Sequence, residues 1–356
     1  MVSRIAVVAF AAAAAGGASA SLADSLDPAR LYAAGQRAEA LAAIASRSDF
    51  DRVAELKALV ALSRDGTPSA GALSRAALML HTDRILVDRA EAPAVEAAER
   101  CGSADDDRLA RSIASIVVAR PDSRAFARRW FVALARRSLW DVCLPFAQFI
   151  VNDGLKWFPG DAELLLVRGT AHETAGSVGL TVNTARLDGP RFVDLPEGRF
   201  REKLTRAAEA LQQALAVEPE MHEARLRLGR VLWRLGDARG AQAALEQVIA
   251  SARAPELLSL AHTFLARVHD DAGRPEEAER SYRRVLAIDP TAQASAVGLA
   301  QLLARGGDGD GARLVLETAV AATPRPAPRD AYMSYHVGLR SEPDALVDAL
   351  RAEVGP

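Results

Sequence analysis

An all-α fold, an α-solenoid of stacked helical hairpins, is the fold class this sequence predicts, and three observations predict it. Glycine, alanine, a large side chain and proline recur at fixed offsets through the second half of the chain. Alanine is abundant while aromatics make up only 5% of residues, a composition suited to closely approaching helices because alanine is the best helix former. Between the punctuating residues the chain is amphipathic with a helical period. At 356 residues, 50% hydrophobic and 25% charged, it can bury one extended core or two compact ones. A formal net charge of −2 provides no basic footprint against phosphates, so no nucleic-acid partner is expected.

Residues 1–20 read as a secretion signal. Arg4 supplies a positive charge, Ile5 to Ala15 is an apolar run, and Ala18-Ser19-Ala20 offers small residues for cleavage after Ala20. The run falls short of the roughly 20 apolar residues of a membrane span. A periplasmic or secreted location follows as the expectation, with no integral membrane segment after signal removal.

Residues 21–121 are expected to form degenerate helical pairs. The stretch 31–46 has a helix–glycine–helix character, and amphipathic stretches follow at 51–63, 70–88 and 105–119. The two cysteines, Cys101 and Cys143, are an even number in a compartment where disulfides persist. The preferred reading keeps Cys143, within the apolar run LWDVCLPFAQFIV, as a small buried hydrophobe. A disulfide is the alternative, and it requires Cα atoms within about 7 Å of each other.

Residues 122–324 carry the repeats. Ala207, Ala241, Ala278 and Ala312 follow one another at intervals of 34, 37 and 34 residues. Five residues before the last three stand Gly236, Gly273 and Gly307. Four residues after each alanine comes Leu211, Leu245, Tyr282 or Leu316, and twelve after it Pro219, Pro290 or Pro324, with Pro255 displaced by two in the remaining copy. Each residue has a mechanical role in a hairpin. Glycine ends the first helix, because it enters the left-handed conformation cheaply. Alanine lets the second helix pass close, the large residue one turn on fills the groove, and proline stops the hairpin.

A period of 34 with this punctuation resembles the tetratricopeptide repeat. Leu228-Gly229, Leu265-Ala266 and Leu299-Ala300 match that family's leucine–small pair on the first helix, while Arg225, His262 and Ala296 stand where its tryptophan is expected. The resemblance extends upstream to a hairpin from about Phe126 to Trp157, with Leu134-Ala135 in the same position and Pro159 closing it. A further first helix, Ala162 to Ala175, carries Gly169 at the small position. The distance from Gly169 to Ala207 is 38 residues, against 12 from Gly229 to Ala241, so about 26 residues are inserted into one turn at 176–200. Their Thr, Val, Gly and Pro content suits a loop or short hairpin. Residues 325–356 read as a proline-rich linker, an aromatic segment and a capping helix from about Pro343. Tyr332 and Tyr335 are expected to fold back and cover the apolar end of the final repeat.

The chemistry-bearing residues point away from an enzyme, and neither a cofactor nor a metal is expected. His172-Glu173 and His222-Glu223 lack the second histidine of a zinc helix. His262 and His269, seven apart and near Asp270, read as polar residues on a repeat surface. The run GGDGDG at 306–311 sits in a repeat turn without the lysine and hydroxyl of a phosphate loop, or the twelfth-position glutamate of a calcium loop. No serine occupies a G-x-S-x-G elbow.

In the resembled family, first-helix side chains line a concave groove that holds peptides or partner helices. The residue after each leucine–small pair is expected to face it: Arg136, Arg230, Arg267 and Gln301. Three arginines in register would suit an acidic protein or peptide partner through bidentate pairing. The competing reading has them solvated or paired with neighbouring acids. The functional expectation is a non-catalytic protein–protein interaction scaffold of the periplasm or envelope. The alternative is an accessory subunit that contacts an enzyme or secretion machine through 176–200.

Overall fold

The computed structural model describes residues 27–47, 49–62, 70–91, 101, 104–177, 197–324, 331–338 and 343–355. The signal segment, residues 178–196 of the insertion and residues 325–330 of the linker lie outside the described residues. Among those described the chain is helical and contains no strand.

The N-terminal part comprises α1 (Pro28–Ala33), α2 (Arg37–Ala45), α3 (Asp49–Leu62), α4 (Ala70–Glu91) and α5 (Ala104–Val118). Proline opens α1, where a missing N–H costs nothing, and the Asp27 side chain accepts a hydrogen bond from Ala29 N. These helices share one core with the first full hairpin, α6 (Arg124–Trp140) and α7 (Leu144–Trp157), through Met79, Ile113, Trp130, Phe131 and Phe146. Trp130 Nε1 donates to Thr82 Oγ1 at 2.7 Å, so the largest of these rings is buried without an orphaned donor. Cys101 and Cys143 form a disulfide with Cα atoms 5.9 Å apart, which ties the segment before α5 to the N-cap of α7. That corrects the reading of Cys143 as merely a small hydrophobe. It is indeed buried, at 1% exposure, but hairpin stacking brings its partner to it. Beside it, Val142 sits at φ 59, a left-handed conformation that a β-branched residue adopts only under constraint.

Four more hairpins follow: α8 (Ala162–Ala175) with α9 (Glu197–Val217), α10 (His222–Leu235) with α11 (Ala238–Ser251), α12 (Pro255–Asp271) with α13 (Pro275–Ile288), and α14 (Gln293–Arg305) with α15 (Gly309–Ala322). The turn glycine behaves as its position requires. Gly236 caps α10 at φ 92 and its N–H bonds back to Trp233 O. Asp237 and Asp308 then cap the second helices through Gly240 N at 2.9 Å and Gly311 N at 2.8 Å, which accounts for the glycine–aspartate run at 306–311.

The alanines stand at close helix contacts, Ala207, Ala241 and Ala278 being fully buried and Ala312 nearly so. The large residue beyond each fills the space left by a small one on a neighbouring helix. A Cβ added to Gly169 would lie 2.6 Å from Leu211 Cγ, and one on Gly229 would lie 2.8 Å from Leu245 Cγ. Tyr282 reaches forward instead, where a Cβ on Gly298 of the next hairpin would lie 2.6 Å from its ring. Leu316, in the last hairpin, meets no further repeat and remains 40% exposed.

The C-terminal segment does not go where it was expected. Tyr332 and Tyr335 leave the final repeat uncovered, with Leu314 63% and Val320 70% exposed. The strap 331–338 lies instead on the first helices α8, α10 and α12. Its successor α16 (Pro343–Val354) packs on α4 and α6 at the other end of the array. The physical reason is the tyrosine hydroxyl, which needs a hydrogen-bond partner when buried. The groove on the last hairpin is lined mostly by Val297, Leu316, Ala319 and Val320 and holds no carboxylate, whereas α8 offers a buried one. Arg351 donates from Nε to buried Asp83 at 2.8 Å, Tyr32 donates to the same carboxylate at 2.7 Å, and Val347 and Leu350 join the N-terminal core.

Candidate functional site

The first helices of successive hairpins lie side by side, so residues at equivalent positions of α8, α10 and α12 face a common strip of surface. Position 173 on α8 and positions 223, 227 and 230 on α10 place four charged side chains there, spaced one helical turn apart along α10. All are buried: Glu173 and Arg227 completely, Glu223 at 3% and Arg230 at 5% exposure.

Glu173 is the hub. Its Oε1 accepts from Arg230 Nη1 at 2.7 Å and from the Tyr335 hydroxyl at 2.6 Å, and its Oε2 accepts from Arg227 Nη1 at 3.1 Å. Arg227 donates from Nε to Glu223 Oε1 at 3.0 Å and from Nη2 to the main-chain oxygen of Tyr335 at 2.9 Å. Thr174 Oγ1 donates to the next carbonyl, His336 O, at 2.8 Å. The Tyr335 ring has the guanidinium carbons of Arg227 and Arg230 at 4.5 and 5.1 Å from its centroid and the edge of Phe264 at 5.0 Å. One turn earlier, Tyr332 packs on Phe264 at 6.2 Å and receives Arg267 at 5.0 Å.

Two carboxylates and two guanidiniums make the cluster neutral, and the environment fixes each charge. Burial works against the Glu173 carboxylate, but Arg230, Arg227 and the Tyr335 hydroxyl together hold it below the usual carboxylate range. Burial, reinforced by the Glu173 charge, pushes the Tyr335 hydroxyl well above the ordinary phenol range. Burial, with Arg230 adding to it, pushes His336 down to about 4. The seat therefore takes a neutral phenol beside ionised partners.

The expected arginine stripe is corrected by this geometry. Arg230 is not offered to a ligand: Glu173 on the neighbouring first helix neutralises it inside the array. Arg136 lies 3.5 Å from Glu163, again on the next first helix. Arg267 is half-buried over Tyr332, and Gln301 is exposed. Pairing with neighbouring acids, the competing reading, is what occurs at 136 and 230. Glu173, Arg227, Phe264 and Tyr335, which build the site, were missed as a group. The Glu223–Arg227 spacing of four on one helix was the one local signal available. Among the described residues no three His, Cys, Asp or Glu side chains gather where a metal ion could be held.

Residues 201–263 and 271–332 match the model of the tetratricopeptide-repeat family. No curated protein matches the chain. Among solved structures it is similar to MamA from Desulfovibrio magneticus RS-1, at 18% identity over 55% of this chain and 94% of that one, with a TM-score of 0.42. It is also similar to PilF of Pseudomonas aeruginosa, at 17% over 65% and 90% with a TM-score of 0.44. A third is YrrB, described as a repeat protein of this family with an unusual peptide-binding site, at 16% over 55% and 86% with a TM-score of 0.38.

Proposed function

We propose that this chain, which belongs to the tetratricopeptide-repeat family, is an exported, non-catalytic scaffold that holds a protein or peptide partner against its first helices. The observation that carries this reading is the strap. The face formed by α8, α10 and α12 already accommodates a short peptide segment, gripping two consecutive carbonyls and two aromatic rings. A surface that binds one segment through main-chain carbonyls and ring faces has the chemistry to bind another. An acidic partner is not favoured, because Arg136 and Arg230 are already paired with carboxylates.

Export is supported by the charged, apolar and small-residue pattern of residues 1–20, and by the Cys101–Cys143 pairing, which persists in oxidising compartments. No described helix is long and apolar enough to cross a membrane. Sequencing of the mature N-terminus should begin at Ser21, and recovery of intact Met1 from a cytoplasmic fraction would overturn the export reading. A role for the 176–200 insertion rests on residues that mostly lie outside those described.

Site-specific photo-crosslinking in the full chain tests the binding face. A crosslinker at Arg267 or Gln301, on first helices, should capture a defined partner, and one at exposed Gln247 on the second helix α11 should not. Capture from Gln247 alone would defeat the proposal.

A further inference from the structure

We propose that the pocket made by Glu173, Arg227, Arg230 and Phe264 is a tyrosine-recognition subsite, that the chain's own Tyr335 is its resident stand-in, and that the partner is a segment presenting an aromatic-x-x-tyrosine turn. The inference rests on the scaffold reading above and specifies which ligand that face selects.

The first argument is what the pocket reads. It contacts the hydroxyl, the ring and the carbonyl of one residue, with Glu173 Oε1 2.6 Å from the hydroxyl and Arg227 Nη2 2.9 Å from the carbonyl. The following carbonyl is taken by Thr174, so nothing in that grip depends on the next side chain. Tyr332 and Tyr335 are three apart in a helical turn, which brings both rings to Phe264 on α12. Arg267 covers the first ring and Arg227 and Arg230 the second. A partner segment with the same two rings at the same spacing replaces the strap contact for contact.

The second argument is why the pocket is charged at all. A strap retained only for stability is served by an apolar seat, since a buried ion cluster gains little over well-packed hydrophobic side chains. What two buried carboxylates and two buried guanidiniums add is discrimination. A phenylalanine leaves Glu173 short of one hydrogen bond in a fully buried site, where an unmade bond is costly. A phosphotyrosine brings two negative charges against Glu173 in a cluster whose positive charges are already balanced. The subsite thus selects unmodified tyrosine from both sides.

The third argument is connectivity. The strap stands between the last hairpin and α16, and it supplies one fully buried side chain, Tyr335, to the core shared by α10, α11 and α12. The α8–α9 and α10–α11 hairpins are built by glycine contacts between their own helices, Gly169 with Leu211 and Gly229 with Leu245, so the strap is a ligand of the array as well as a part of it.

The test uses a synthetic peptide of residues 330–339 (DAYMSYHVGL), fluorescently labelled, with full-length protein. Tyr335→Ala, which vacates the pocket, should bind it at least about tenfold more tightly than wild type, whose own tyrosine competes. The same peptide carrying phenylalanine or phosphotyrosine at 335 should bind Tyr335→Ala at least about tenfold more weakly than the tyrosine peptide. Thermal melts by circular dichroism establish that the variant is folded. If it is not, Tyr335→Phe, which keeps the ring and loses only the hydroxyl, should still bind the tyrosine peptide more tightly than wild type does. Equal affinity for tyrosine and phenylalanine peptides, or no binding to any folded variant, overturns the subsite. Crosslinks from Gln301, which has no part in the subsite, are an independent readout, so the subsite can fail while the scaffold reading survives.

Discussion

Replacing Glu173 by glutamine removes one negative charge from the centre of the buried cluster and leaves the shape almost unchanged. Arg227 keeps Glu223, 3.0 Å away, but Arg230 loses the carboxylate that neutralises it. The cluster then carries one uncompensated positive charge at a site only 6% exposed, and breaking a buried pair in this way costs about 3–5 kcal/mol. The glutamine oxygen still accepts a hydrogen bond, so we expect the lower end, about 3 kcal/mol. Tyr335→Phe deletes a single hydrogen bond to a carboxylate that retains both guanidiniums, which is worth about 1.5–3 kcal/mol. Repeat arrays do not unfold as one two-state unit, so the loss should be read locally. Hydrogen exchange followed by mass spectrometry suits this. Protection of amides in 331–338 and α10 should fall by roughly 100-fold in Glu173→Gln and less in Tyr335→Phe. Unchanged exchange in Glu173→Gln, or a larger loss in Tyr335→Phe, would refute the view that the carboxylate is the hub.

Four further outcomes follow from other parts of the chain. His81 is fully buried, and burial, with Arg84 adding to it, lowers it to about 4 from an ordinary 6.5. Between those values the unfolded imidazole binds a proton that the folded one refuses, so stability falls as pH drops from 6.5 towards 4, by up to about 3 kcal/mol. Urea midpoints at pH 7 and pH 4.5 should show that loss, and His81→Leu should reduce it. Cleaving the disulfide releases a loop of sequence separation 42, for which the chain-entropy estimate is about 4 kcal/mol. A Cys101→Ser, Cys143→Ser double variant with an unchanged urea midpoint would contradict it. Val142→Gly relieves a left-handed valine and should raise thermal stability by about 1 kcal/mol, whereas a fall would mean that the valine side chain is needed there. Ala278→Leu inserts a large side chain at a fully buried helix contact and should cost about 1–3 kcal/mol by overpacking. A melting temperature equal to wild type would show that the contact yields.

The hairpins were legible because everything that makes one is local. Gly236, Asp237, Ala241 and Leu245 lie within ten residues of one another, and each acts on a partner in its own helix pair. Their recurrence reports the period directly. The site was not legible, because its bonds span long distances in sequence: Arg227 to Glu173 over 54 residues, and Tyr335 to Glu173 over 162. Nothing local distinguishes Arg230, which is buried, from exposed Arg234 four residues on. Which arginine turns inward is decided by the stacking of α10 on α8, and no local signal reports it, because Gly169 and Gly229 mark only the contacts of α8 with α9 and of α10 with α11. The disulfide was hidden for the same reason, since its 5.9 Å Cα spacing is a product of α5 packing beside α6 and α7.

The strap also explains why the end of the array is left bare while the chain's last helix travels back to its beginning. Covering Leu314 and Val320 would bury apolar area worth about 25 cal/mol per Å², but the groove beside Val320 would give the Tyr335 hydroxyl no carboxylate to donate to. On α8 the same tyrosine gains a carboxylate, two cation–π contacts and an aromatic edge. With Tyr335 seated there, α16 packs on α4 and α6 at the other end of the array. There Asp83 receives Arg351 and Tyr32 together. Seating the strap and docking α16 are therefore successive steps of one return path. A partner that takes the place of Tyr335 acts on that path at its first anchor, between the last repeat and the helix that closes on the N-terminal core.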